Sequence, residues 1–266
     1  LPTLVAFTIG FIVPFIMGIY LSFCEFTTVT DAKFVGLKNY LRVFSDPTFM
    51  HALWFTALFT IVSVLTINVF AFVIAMLLTK GIKGTNFFRT VFFMPNLIGG
   101  IVLGYIWQIL LNGILGHFGR TLTYSSSYGF WGLIILMNWQ QVGYMMIIYI
   151  AGIQNIPGEL IEAAKMDGAG EFRIFISICI PLCKGALFSA AILVFADYWN
   201  MVEQPLLFFN DTDKYPLSIF LSKINAQEVG LAFAVATFYM IPSLLIFLYG
   251  EDQLVEGIAY QGGVKG

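Results

Sequence analysis

The sequence predicts an all-α integral membrane protein of about six transmembrane helices, and three observations carry that reading. Hydrophobic residues make up 59% of the 266 and charged residues only 11%, whereas soluble domains run near half apolar and a quarter charged. The mean hydropathy is +0.87. Apolar runs longer than about 18 residues, enough to cross a bilayer as a helix, recur along the whole chain.

Taken in order, the first run is 4–23, interrupted only by Pro14 and two glycines. It has no basic region before it and no small-residue cleavage site, so it reads as a span rather than a signal peptide, with a short polar segment expected ahead of it. The second, 52–78, holds no charge. The third, 90–111, contains Pro95, Gly99, Gly100 and Gly104, which spans tolerate when neighbours satisfy the freed backbone groups. The fourth is 130–153. The fifth, 182–207, is interrupted by Asp197, Asn200 and Glu203, and the sixth, 231–249, contains Pro242. No repeat or low-complexity linker divides the chain, which reads as a single transmembrane domain over 1–266.

Six spans place both termini on one side. With cytoplasmic termini, the inner face holds Lys80, Lys83, Arg89, Lys165, Arg173, Lys184 and Lys265, and the outer face Lys33, Lys38, Arg42, Arg120, Lys214 and Lys223. The two sets nearly balance, so the weight falls on Lys80–Arg89, which is short, has three cations and no acid, and is placed in the cytoplasm. Trp54, Trp107, Trp131 and Trp199 lie near span ends, as interfacial aromatic belts require.

Several function classes fall away. The net charge is −2, and no basic tract suggests nucleic acid. Cys24, Cys179 and Cys183 form no CxxC pair and read as apolar filling. His51 and His117 stand far apart, with no carboxylates at ligand spacing, so no metal is expected. No GxxxxGK[ST] is present to cradle ATP, and no GxSxG or matched nucleophile and base suggests catalysis.

The most polar stretch between spans is 154–181. Pro157 suits a first helical turn, Glu159 and Glu162 follow where the macrodipole favours acids, and Gly168 offers a break about three turns on. A second short helix is expected from about Ala169, leading through Pro181 into span five. Leu160, Ala163, Ala164 and Asp167 fall at i, i+3, i+4 and i+7, a flat face for docking. The competing reading is a surface helix lying among lipid headgroups.

Within that stretch, Glu162-Ala163-Ala164, three residues, Gly168, nine residues, Ile178, one residue, Ile180 and Pro181 resemble the EAA loop of permease subunits in type I ATP-binding-cassette importers. The one departure is Ile180 where the family pattern has leucine. Gly152–Pro157 before the loop, Asp167-Gly168-Ala169 within it, the terminal Gly262–Gly266, and Phe34–Tyr40 with Asp46, Phe49 and Ala52 resemble the carbohydrate branch of that family.

The resemblance implies a permease fold with a cytoplasmic coupling helix. By that likeness Glu162 would meet a basic or amide group of an ATPase subunit, Ala163 and Ala164 would allow close approach, and Asp167, Gly168 and Pro181 would complete the loop. The chain itself would carry no cofactor, with ATP and magnesium held by the ATPases. Partners would be a second homologous permease, two ATP-binding cassette subunits, an extracellular or periplasmic solute-binding protein and membrane lipid, at a bacterial inner membrane.

Polar residues within spans are costly and face a cavity or the bundle interior. Asn138, Trp139, Gln140, Gln141 and Tyr144 in span four, and Asp197, Trp199, Asn200, Glu203 and Gln204 in span five, offer rings to stack on sugar C–H faces and amides to bond hydroxyls. They are candidates for a substrate path, against the alternative of interhelical ties or interfacial anchors. Asp197 is the sharpest, and Asn68 reads as a helix-to-helix hydrogen bond. A different class, an ion-coupled secondary transporter of a small polar solute, would need inverted repeats and buried acids, and Asp197 alone supports it.

Overall fold

A computed structural model describes residues 1–26, 28–209, 214–224 and 228–262. Four helices are long and apolar enough to cross a membrane: α1 (Pro2–Ser22), α3 (Pro47–Thr79), α6 (Ser126–Gln154) and the first part, Val229–Asp252, of α12 (Val229–Gly262). Two bent pairs bring the number to six if each is one span. The shorter helices are α2 (Lys38–Phe44), α4 (Thr85–Phe93), α5 (Gly100–Gly116), α7 (Gly158–Met166), α8 (Glu171–Ile174), α9 (Lys184–Trp199), α10 (Pro205–Phe208) and α11 (Leu217–Ser222).

Three expected spans differ from what the structure shows. The third is not one helix: α4 runs on through a 3₁₀ turn, Met94–Leu97, and then meets α5 at 100°. Pro95 and the Gly99–Gly100 pair lie at that break, where a missing N–H and two backbones without Cβ permit it. The fifth starts earlier, at Phe175, bends by 67° at Cys183 and stops at Trp199. Its expected tail, 200–207, turns away before Pro205 opens α10. The sixth keeps its helix through Pro242 and past Tyr249 into polar residues. Residues 263–266 of the terminal flank, with Lys265, lie outside the described residues.

Contacts divide the chain into two compact units, residues 1–57 with 211–245 and residues 58–210 with 246–266. In the first, α1 contains a π-helical turn, Thr8–Ile12, just before Pro14. Proline cannot donate to the preceding turn, and a widened turn accommodates the gap. After α1 a two-stranded hairpin pairs β1 (Cys24–Glu25) with β2 (Lys33–Phe34). Buried Asn39 on α2 donates to the carbonyls of Ser22 and Cys24 at 3.0 and 2.9 Å, and Ser22 Oγ and Tyr40 Oη lie 2.6 Å apart. Lys38 contacts Glu25 at 2.7 Å and holds that exposed carboxyl below its usual range. Phe49, Val43, Ala52, Leu217, Ala234 and Val235 form the buried core, with Phe44 edge-on to Phe49 and Phe238. Thr56 Oγ1 accepts the Leu217 N–H at 2.8 Å.

In the second unit α6 is the axis. Leu133, Leu136, Met145, Met146 and Tyr149 are fully buried, and the Tyr149 hydroxyl donates to Asn68 Oδ1 on α3, the interhelical bond expected for Asn68. Glycines let neighbours approach closely, as small residues do between spans. A Cβ at Gly143 would fall 1.8 Å from the Phe92 carbonyl oxygen, and one at Gly129 2.5 Å from the Phe209 ring. All three cysteines are buried and none is in a disulfide. Trp54 and Trp131 are exposed, as a belt requires, but Trp199 is 4% exposed and stacks on Phe195.

Three substitutions test this packing. Gly143→Val, which must displace backbone, should cost about 2 kcal/mol or more and lower Tm in a detergent thermal-shift assay. Gly10→Ala, with nothing within 4 Å, should leave Tm unchanged or raise it. Asn39→Ala, which strips the partner from two carbonyls, should cost roughly 1–3 kcal/mol and make the hairpin region more sensitive to limited proteolysis.

Candidate functional site

Two places in the second unit carry the predicted functional residues. The first is the break between α4 and α5. The turn Met94–Leu97 presents Asn96, whose Nδ2 donates to Gln141 Oε1 on α6 at 2.8 Å. Gln141, 8% exposed, in turn donates from Nε2 to Asp197 Oδ2 on α9 at 2.9 Å. One amide thus ties three separate chain segments. Gln140, one residue back, donates to the Ile98 carbonyl at 3.4 Å, satisfying a backbone group that the break would leave without a helical partner.

The segment after α9 closes over the start of α5. A Cβ at Gly100 would lie 2.5 Å from both Glu203 Oε2 and Gln204 Nε2, and one at Gly104 2.8 Å from Leu207. Gln108 donates to the Leu207 carbonyl. Trp107 and Trp139 pack with ring centroids 5.5 Å apart. The polar groups of spans four and five are therefore neighbours, joined by residues of span three.

The individual candidates divide. Trp139 and Tyr144 are exposed and Gln140 half-exposed on one side of α6, with Tyr144 beside Phe93. Asp197 is exposed beyond its bond to Gln141, and exposed Asn200 donates to the Ala196 carbonyl at 2.8 Å. Asn138 instead points to α3, donating to Thr66 Oγ1 at 3.0 Å and to the Ile134 carbonyl at 2.8 Å. It ties helices together rather than lying on the exposed face, because it sits about 100° round the helix from Trp139. Trp199 packs inside. Sequence reasoning assigns Trp107 to an interfacial belt rather than to this site and singles out neither Asn96 nor Gln108, although a polar residue between Pro95 and Gly99 in an apolar run is a readable signal of a discontinuous span.

The second place is the loop 154–181. Pro157 precedes α7, with Glu159 in its first turn and Lys165 in its last, as the macrodipole favours. Gly168 takes φ +78°. Ala169 N–H donates to the Ala164 carbonyl at 2.9 Å and Gly168 N–H to that of Lys165 at 3.1 Å, a helix ending that requires a left-handed residue where glycine stands. Glu162, Ala163, Asp167 and Leu160 are exposed, Ala164 is half-buried, and Met166 is 83% exposed. After α8 a π-helical turn, Phe175–Cys179, absorbs Pro181. The expected pair of short helices about Gly168 is present.

Comparison with known proteins bears on the family and the fold. Residues 43–255 match the family described as binding-protein-dependent transport system inner membrane component. The chain is 37% identical over 256 residues to the probable starch degradation products transport system permease protein AmyD of Thermoanaerobacterium thermosulfurigenes, covering 90% of this chain and 87% of that one. It is 30% identical over 204 residues to the trehalose/maltose transport system permease protein MalF of Thermococcus litoralis, covering 73% and 69%. Among solved structures, a bacterial ABC transporter involved in import of the acidic polysaccharide alginate superposes with a TM-score of 0.74 at 18% identity, over 100% of this chain and 94% of that one. An all-α fold of broken and continuous spans with this match over most of its length leads to one assignment: the chain belongs to the family of inner-membrane components of binding-protein-dependent transport systems, and it is a permease subunit of such an importer.

Proposed function

We propose that this subunit forms half of the translocation path for a sugar or oligosaccharide and works by alternating access, driven by ATP hydrolysed in partner chains. The carbohydrate systems named for its relatives support the substrate class. Both are named as permease proteins of transport systems, and this chain matches the binding-protein-dependent family, which supports an importer permease over an ion-coupled carrier. The observation that carries the coupling reading is α7, a short helix closed by Gly168 in a left-handed turn, which leaves Leu160, Glu162, Ala163, Met166 and Asp167 uncovered.

In this reading α7 docks on an ATP-binding cassette subunit. Glu162 meets a basic or amide group there, while Ala163 and Ala164 let the surfaces approach. Asp167 and Gly168 fix the turn, and Pro181 directs the chain toward α9. Rigid-body movement of the ATPase is then transmitted through α8 to α9 and Asp197. Trp139, Gln140, Tyr144, Asp197 and Asn200 line the path on the exposed face, with Asn138 and Trp199 supporting them from behind. The full assembly comprises a second homologous permease, two ATPase subunits holding ATP and magnesium, and a solute-binding protein, in a bacterial inner membrane. The termini, Lys80–Arg89 and the 154–181 loop lie on the cytoplasmic side.

The test is affinity purification of the tagged chain from membranes in mild detergent, wild type beside Gly168→Trp. Wild type should bring down an ATPase subunit with activity stimulated by loaded binding protein. Gly168→Trp should lose that stimulation at least tenfold. A chain that purifies alone and transports in liposomes without ATP would overturn the reading.

A further inference from the structure

We infer that the site around Asp197 and Glu203 selects solutes by charge, accepting neutral hydroxyl-rich molecules and rejecting anionic ones. This rests on the reading of that face as the translocation path. Between residues 58 and 210 the acids are Glu159, Glu162, Asp167 and Glu171, all in the 154–181 loop, and then Asp197 and Glu203. Only the last pair reaches the broken helices. Among the described residues neither shows an ion pair to a cation, whereas Lys38–Glu25 and Arg42–Glu228 pair in the other unit.

The cations of the same segment lie elsewhere. Lys184 opens α9 and is thirteen residues from Asp197, about 20 Å along a helix. Arg89 precedes Asn96 by seven residues, on the order of 10 Å. Arg120 is bonded to the Tyr128 hydroxyl and lies over the Tyr124 and Tyr128 rings. Lys80 and Lys83 stand in the turn before α4, and Lys165 and Arg173 in the 154–181 loop.

An anion leaving water needs charged or multiple N–H donors to replace its hydration. The N-terminus of α5, a helix of 17 residues, is where backbone N–H groups would offer that. The chain puts its own carboxylate there: Glu203 Oε2 and the Gln204 amide occupy the space above Gly100, at 2.5 Å from where a Cβ would stand. Position 100 accommodates them only because it has no side chain. Asp197, with Oδ2 engaged by Gln141, adds a second carboxyl group. A neutral carbohydrate suits the same surface, since its hydroxyls donate to carboxylates and its C–H faces cover the Trp107–Trp139 pair.

The experiment uses the assembled complex of the chain with its partner permease and ATPase subunits in lipid nanodiscs, without binding protein. Equilibrium binding of maltotriose, neutral, is compared with trigalacturonate, acidic. Wild type should prefer the neutral trisaccharide at least tenfold. Glu203→Gln and, as an independent variant, Asp197→Asn should each narrow that ratio on the order of tenfold, the effect of one partly screened charge. Trp139→Ala should weaken both ligands. Binding that falls with Trp139→Ala while both carboxylate variants keep the wild-type ratio overturns charge selection alone. Binding of neither trisaccharide, or binding indifferent to Trp139→Ala, overturns the path reading and charge selection with it.

Discussion

A helix broken inside hydrocarbon leaves backbone carbonyls and amides without partners, and each such group costs several kcal/mol in a medium that cannot hydrogen-bond, roughly 4–8 by transfer to cyclohexane. The second unit is organised around meeting that cost. The break between α4 and α5 is covered by Gln140, which bonds the Ile98 carbonyl, and by the amide chain from Asn96 through Gln141 to Asp197. The side chains that repair the backbone are the same ones that give the site its polarity. The polar surface at the break is thus a consequence of breaking the helix.

Close backbone approach is the second requirement, and glycine supplies it. Gly143 admits the Phe92 carbonyl against α6, Gly100 admits the Glu203–Gln204 pair, and Gly129 and Gly132 admit Phe209 and Phe208. Lipid gives no hydrophobic drive between spans, so association depends on such packing and on hydrogen bonds. Both appear along α6, with Tyr149 and Asn138 bonding to Asn68 and Thr66 of α3 on one side and the broken span packing through Gly143.

The loop 154–181 follows a different logic, because the face of α7 is exposed. Its shape is set locally, by Pro157 at the start of α7 and a left-handed Gly168 at its end. Proline at 181 then forces the following helix to widen into a π turn, where a regular turn would require an N–H it lacks. Rigid local geometry suits a segment proposed to transmit movement between subunits.

Composition and pattern determined the class of the protein, since only lipid suits a chain so apolar, and the continuous helices 47–79 and 126–154 contain their expected spans. The loop about Gly168 was equally legible, because caps and left-handed turns are encoded within a few residues. Tertiary structure alone decided where spans three and five break and how sharply. Proline and glycine in an apolar run permit a break without fixing its angle. It also separated Asn138 and Trp199, which pack between helices, from Trp139 and Asp197, which remain exposed, and it brought Asn96 and Glu203 to the same site. Hydrophobic periodicity cannot report such placements: they depend on long-range contacts such as Phe92 on Gly143, between residues about fifty positions apart, that no local pattern encodes.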